Sequence, residues 1–204
     1  MLEIYLTRHG ATEWNVENRL QGSLNSDLTE SGVRNATALG RRLSDIEFTR
    51  IYVSPSKRAL ETAKLIISDD SSFTIIEELN EISFGDWEGK TREEIELKGK
   101  EEYDNFWSRP HKYNHLHHNG ESLEAFKQRV AVAMKRILSE SPEGRILIVT
   151  HGVVIRALMA FFWNIPLVKM WDPPNIHGTS LSIVRFDGDH FEKVILGDTI
   201  HMKE

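Results

Sequence analysis

The chain has 204 residues, a formal net charge of −6, 40% hydrophobic and 27% charged residues, and no cysteine. That composition carries a globular core, excludes a disordered chain, and argues against broad electrostatic contact with nucleic acid or an anionic membrane. Without cysteine there is no disulfide framework, thiolate metal site or cysteine nucleophile, and no run approaches the roughly 18 apolar residues of a membrane span.

At the N-terminus, Met1-Leu2-Glu3-Ile4-Tyr5 lacks the basic-then-apolar pattern of an export leader, so a cytoplasmic protein with one domain over residues 1–204 is expected. Residues 4–10, Ile-Tyr-Leu-Thr-Arg-His-Gly, read as a buried strand delivering His9. Thr29 stands as N-cap of a helix marked by Val33, Ala36, Leu39 and Leu43. Residues 50–54 read as a strand stopped by Pro55, and 58–68 as a helix through Ala59, Leu60, Ala63, Leu65 and Ile66. A strand is expected at 73–76, a loop with two glycines at 81–89, and a capped helix start at Thr91.

Residues 109–120 carry Pro110, Asn114, Asn119 and four histidines without a period, which reads as an excursion over the surface or the site. Residues 122–138 form an amphipathic helix. Residues 146–152, Ile-Leu-Ile-Val-Thr-His-Gly, repeat the pattern of the first strand, and 152–162 is a strongly apolar helix ended by Asn164 and Pro166. Strands at 180–186 and 191–196 flank Asp187-Gly188-Asp189, a hairpin signal. Strands alternating with helices predict a three-layer α/β/α sandwich with a mainly parallel sheet and an antiparallel edge strand.

In such a sheet the C-terminal ends of neighbouring strands converge on one crevice, so His9 and His151 are expected over one ligand. Arg8 makes that ligand an anion, because its planar, permanently charged fork suits phosphate. A neutral imidazole can attack phosphorus, and the carbonyl of Gly10 can hold one ring nitrogen protonated so that the other keeps its lone pair. His151 opens a helix, where backbone N–H groups favour anions, and Arg58 can clamp a second face of a phosphate. A carboxyl group near the leaving oxygen would complete the chemistry. Glu77, Glu78, Glu81 and Glu88 are equivalent candidates on pattern alone. Among the aromatic residues Trp14, Phe84, Trp87 and Trp107 are candidates for a pocket wall, with Trp14 nearest in sequence to the histidine. The histidine-rich segment 111–118 lacks a recognised metal-ligand spacing, so no metal is expected.

Thr7-Arg8-His9-Gly10, Ser54-Pro55-Ser56-Lys57-Arg58-Ala59, Leu79-Asn80-Glu81, Gly120-Glu121-Ser122 and Thr150-His151-Gly152, in this order, resemble the motifs of the histidine phosphatase (phosphoglycerate-mutase-like) superfamily. Asn15, Arg19, Gln21 and Gly22 are similar to its phosphate-pocket loop. The likeness is nearest to short bacterial broad-specificity phosphatases, and it extends to the Met170-Trp171-Asp172-Pro173-Pro174 stretch. The resemblance implies that His9 is phosphorylated, that Glu81 is the proton donor, and that Arg8, Arg58 and His151 bind the transferring group with help from Asn15, Gln21 and Gly22. It implies no cofactor, and a small phosphorylated substrate as partner. Two alternatives share the site: a phosphoglycerate mutase, disfavoured by the short chain end after the hairpin, and an inactive phosphate-binding module.

Overall fold

The computed structural model describes residues 1–67, 73–172 and 174–203. A six-stranded sheet runs in the order β3-β2-β4-β1-β5-β6. Its strands are β1 (Leu2–Arg8), β2 (Arg50–Val53), β3 (Phe73–Ile75), β4 (Gly144–Thr150), β5 (Leu181–Phe186) and β6 (Phe191–Asp198). β3, β2, β4 and β1 pair in parallel. The expected antiparallel edge is formed by the last two strands: β5 is antiparallel to β1, and the edge strand β6 is antiparallel to β5. The hairpin turn brings β6 back to cover β5, so the edge strand runs in the same direction as β1.

The central strands are apolar on both faces because helices cover both. Leu2, Ile4, Leu6, Ile146 and Ile148 point into one core, which includes Phe126, Val130 and Met134 of α5 (Leu123–Glu140) and Val154 and Leu158 of α6 (Gly152–Trp163). Tyr5, Leu147 and Val149 point the other way, against Leu39 of α2 (Glu30–Arg42) and Ala59, Ala63 and Ile66 of α3 (Lys57–Ile66). The period-two alternation along β1 and β4 thereby builds a three-layer sandwich.

Local chemistry sets the helix starts. Thr29, Ser56, Thr91 and Ser122 each accept a backbone N–H of the first turn, and Thr91 forms a reciprocal capping box with Glu94 at the head of α4 (Arg92–Ser108). α3 begins one residue earlier than its apolar spacing suggests and stops at Ile66, short of the expected end, because Ile67 is already extended; Ser68 lies outside the described residues. Thr12 and Asn15 cap a four-residue helix, α1 (Glu13–Val16), too short to carry an apolar period. Segment 109–120 folds into two short 3-10 turns. His118 is buried there, stacked on Trp87 with ring centroids 3.6 Å apart, while His117 pairs with Glu102 at 2.7 Å.

Candidate active site

The parallel register of β1 and β4 sets Arg8 opposite Thr150 and brings the next residue of each strand, His9 and His151, to one level. His9 N–H donates to the Thr150 carbonyl at 2.8 Å, and the two imidazoles meet edge to face with centroids 5.2 Å apart. Both rings are buried, and their partners fix opposite tautomers. His9 Nδ1 faces the Gly10 carbonyl at 2.8 Å, which only accepts, so Nδ1 carries the proton and Nε2 keeps the lone pair. His151 Nδ1 faces Nη2 of Arg58 at 3.1 Å, which only donates, so its proton sits on Nε2 and goes to Ser54 Oγ at 2.7 Å.

Burial holds the pKa of His9 well below its ordinary value, and Arg8 and Arg58 push it further down. The pKa of His151 is lowered in the same way, by burial and then by Arg58. Both imidazoles are neutral near neutral pH.

Gly10 is needed for more than its carbonyl. A Cβ there would come within 2.9 Å of the Gly32 carbonyl at the start of α2, so a larger residue would force the His9 turn and that helix apart. Gly10 N–H donates to Thr62 Oγ1 at 2.9 Å, and that hydroxyl donates to the Arg58 carbonyl at 2.7 Å. Thr62 therefore ties the His9 turn to α3.

Arg58 is 1% exposed and threads through the core of the site. Its fork donates to the carbonyls of Gly22 (2.8 Å) and Leu24 (2.5 Å) and to Asn25 Oδ1 (3.0 Å). Burial lowers its pKa to about 10, which leaves it charged at neutral pH. Arg8 donates from Nη1 to the Ile176 carbonyl at 2.9 Å. The Nε–H groups of Arg8 and Arg58 are buried without a protein partner. Two such cationic donors beside a neutral imidazole form a site for a multiply charged oxyanion.

Of the four glutamates, Glu81 is the one that lines the same cavity as His9, Arg8 and Arg58. Glu81 receives Ile82 N–H at 3.0 Å and, from the first turn of α6, Val153 N–H at 3.1 Å. Burial raises its pKa, against the pull of those two amides and of Arg58 and Arg8, which suits an acid that donates a proton. Arg129 of α5 fixes the segment before it, donating to the carbonyls of Glu78 (2.8 Å), Asn80 (2.7 Å) and Glu81 (3.0 Å) while its fork grips Glu121. Glu88 is a brace between loops: its carboxylate accepts from Ser23 N–H and Oγ–H, Ser83 Oγ–H and Phe84 N–H. It also fills the space beside Gly22, which has φ of 52° and where a Cβ would collide with it.

These groups open onto a cavity of about 300 Å³ lined by Arg8, His9, Asn15, Gln21, Gly22, Arg58 and Glu81. His151 is not on its surface and stands behind Arg58 and His9. Asn15 Oδ1 caps Thr12 N–H at 3.1 Å, and Gln21 Nε2 donates to Thr12 Oγ1 at 2.7 Å, so both also shape their own loop. Leu20, Phe84, Trp107, Trp171 and Ile176 form the apolar part of the cavity lining. Of the aromatic candidates, Phe84 and Trp107 are there. Trp14 instead packs beside Gly89, and Trp87 lies under His118. The pattern gave no pointer to Arg156, Asn175, Ile176 or His177, which also line the cavity, or to Thr62 and Arg129 behind it.

A neutral, tautomer-fixed histidine flanked by two buried guanidiniums, with a carboxyl group of raised pKa at the C-terminal edge of a parallel sheet, defines an α/β enzyme of phosphoryl transfer. The chain belongs to the histidine phosphatase superfamily (branch 1), whose model matches residues 4–199. The structure of Bacillus stearothermophilus YhfR superposes with a TM-score of 0.93 at 43% identity, covering 99% of this chain and 100% of that one. Phosphoserine phosphatase 1 of Hydrogenobacter thermophilus is 31% identical over 100% of this chain and 96% of its own. The adenosylcobalamin/alpha-ribazole phosphatase of Escherichia coli is 32% identical over 83% of each chain. The chain is accordingly a phosphatase of the histidine type. Among the described residues no helix is long and apolar enough to cross a membrane.

Proposed function

We propose that this chain, acting as one domain in the cytoplasm, hydrolyses small phosphomonoesters with apolar, uncharged leaving groups through a phosphohistidine on His9. The lone pair of His9 Nε2 attacks phosphorus, the bond to the leaving oxygen breaks, and Glu81 gives that oxygen its proton. Glu81, now a carboxylate, takes a proton from water as the water oxygen attacks phosphorus. The P–N bond breaks, its electrons return to Nε2, and inorganic phosphate leaves. Arg8 and Arg58 hold the equatorial oxygens, His151 fixes Arg58, and Asn15, Gln21 and the Gly22 turn complete the rim. No cofactor enters this cycle.

The observation that carries the reading is the tautomer of His9, set by the Gly10 carbonyl on Nδ1 so that Nε2 keeps its lone pair for phosphorus. The leaving-group preference rests on the cavity wall of Leu20, Phe84, Trp107, Trp171 and Ile176. Arginines beyond the clamp are already engaged: Arg19 with Glu17, Glu94 and the Gly89 carbonyl, Arg156 with three carbonyls. The test is a panel of phosphomonoesters ranked by kcat/KM, run with wild type and His9→Ala, together with acid quenching to trap an acid-labile phosphoenzyme. Aryl phosphates should outrank phosphoserine and 3-phosphoglycerate, and His9→Ala should lose both turnover and the trapped phosphate. Wild-type rates in that variant would falsify the mechanism.

A further inference from the structure

Beyond His151, α6 carries Arg156, which lines the same cavity while its guanidinium is engaged by backbone carbonyls. Nη1 donates to the carbonyls of Met170 (3.2 Å) and Asp172 (2.8 Å), and Nη2 to that of Pro174 (3.2 Å). Its charged carbon lies 5.7 Å from the centroid of the Trp171 ring. Beyond the short turn Leu167–Lys169, the described residues up to Ile176 belong to no helix or strand, so their carbonyls have no ladder to satisfy them. A planar fork can gather three of them at once, which a lysine ammonium of compact charge does less well.

The stretch held in this way supplies both Trp171 and Ile176 to the apolar wall. Trp171 is fixed at its other end, where Nε1 donates to the Phe106 carbonyl at 2.5 Å and its ring meets Trp107 at 5.0 Å. The Ile176 carbonyl is the acceptor for Arg8. Arg156 and the Val153 amide that holds Glu81 lie on the first turns of the same helix. The wall, the acid and the nucleophile strand are thus referred to one rigid element.

We infer that Arg156 is a positioning residue: by gathering the Met170, Asp172 and Pro174 carbonyls it holds Trp171 and Ile176 against the leaving group, and so sets selectivity for bulky apolar esters. This rests on the phosphomonoesterase reading given above. Phenyl and 1-naphthyl phosphate probe it, since their leaving groups are of similar acidity and differ in apolar area.

In Arg156→Lys and Arg156→Gln the ratio of kcat/KM for 1-naphthyl over phenyl phosphate should fall about fivefold, mostly through KM for the naphthyl ester. The inhibition constant for inorganic phosphate should stay within about twofold, because Arg8 and Arg58 stand on β1 and α3. Trp171→Ala should lower the ratio comparably, and adding Arg156→Lys to it should lower it no further. An unchanged ratio, a phosphate constant that rises in step with the loss, additive effects in the double variant, or failure of both Arg156 variants to fold would each overturn the inference. Absence of wild-type turnover on every phosphomonoester would instead refute the function on which it rests.

Discussion

Arg58 Nη2 donates to His151 Nδ1 at 3.1 Å, while the opposite side of the imidazole is anchored on Ser54. The second histidine thus orders a guanidinium that in turn reaches the Gly22 and Leu24 carbonyls. That relationship separates the roles of two residues which arrive at the site by the same strand-end geometry. His9 lies against the Gly10 carbonyl with a free lone pair; His151 accepts from Arg58.

His151→Ala should therefore lower kcat for an aryl phosphate by about 10²–10³-fold, the cost of disordering one charge-stabilising donor. Its effect on stability has a distinctive pH dependence. Both buried histidines have pKa values below the ordinary 6.5 when folded, so their contribution is full above 6.5 and is lost as pH falls toward the folded values. Each adds a slope of up to about 1.4 kcal/mol per pH unit in that window. Urea denaturation of wild type and His151→Ala between pH 7 and 5 should show the variant losing stability less steeply. Equal slopes would mean that His151 is not held neutral.

The raised pKa of Glu81 and the lowered pKa of His9 set the pH profile. Turnover needs His9 neutral, so activity falls on the acid side as pH drops through a value below 6.5. It also needs Glu81 protonated, so activity falls on the alkaline side as pH rises through a value above 4.5. Glu81→Gln should abolish the alkaline limb and reduce kcat/KM for phenyl phosphate by about 10²–10⁴-fold. The loss should be far smaller with 4-nitrophenyl phosphate, whose leaving group departs without a proton. An equal loss on both esters would remove Glu81 from proton transfer.

Features set by neighbours in sequence were legible beforehand. Thr29, Thr91 and Ser122 announce their helices because the capping oxygen and the first turn are adjacent in the chain. The two His-Gly pairs announce the crevice because strand ends in a parallel sheet share a level. Glu81 is indistinguishable in pattern from Glu77, Glu78 and Glu88 because one of the amides that holds its carboxylate belongs to Val153, 72 residues away. Nothing in the sequence pattern singles out Arg129 or Arg156, since the carbonyls they gather lie in segments without a period. Trp14, close to His9 in sequence, packs outside the cavity, while Trp171, far from it, lines the wall.

Thr62 offers a test of how the nucleophile is oriented. Its hydroxyl accepts from Gly10 N–H and donates to the Arg58 carbonyl, and the side chain is fully buried. Thr62→Val keeps the shape and leaves Gly10 N–H unsatisfied, which should cost about 1–3 kcal/mol of stability. The Gly10 carbonyl would then hold His9 less firmly, so kcat should fall about tenfold or more with KM nearly unchanged. Thr62→Ser, which restores the hydroxyl, should recover kcat. Recovery by valine and serine alike would show that only packing matters at this position.

Arg129 makes the corresponding prediction for the acid. Its guanidinium gathers the carbonyls of Glu78, Asn80 and Glu81 and pairs with Glu121, while its charged carbon lies 4.8 Å from the Phe126 ring centroid. Arg129→Met keeps the apolar stem and removes every one of those donors, leaving Glu121 without the guanidinium it pairs with. Charge-assisted hydrogen bonds of this kind are worth about 1.5–3 kcal/mol each, so the loss of stability should be at least that of one. Its kinetic signature separates positioning from plain destabilisation. If Arg129 serves Glu81, the variant should lose more kcat with phenyl phosphate than with 4-nitrophenyl phosphate, reproducing in weaker form the leaving-group dependence of Glu81→Gln. A uniform loss across both esters at a temperature well below the unfolding transition would confine Arg129 to holding the fold.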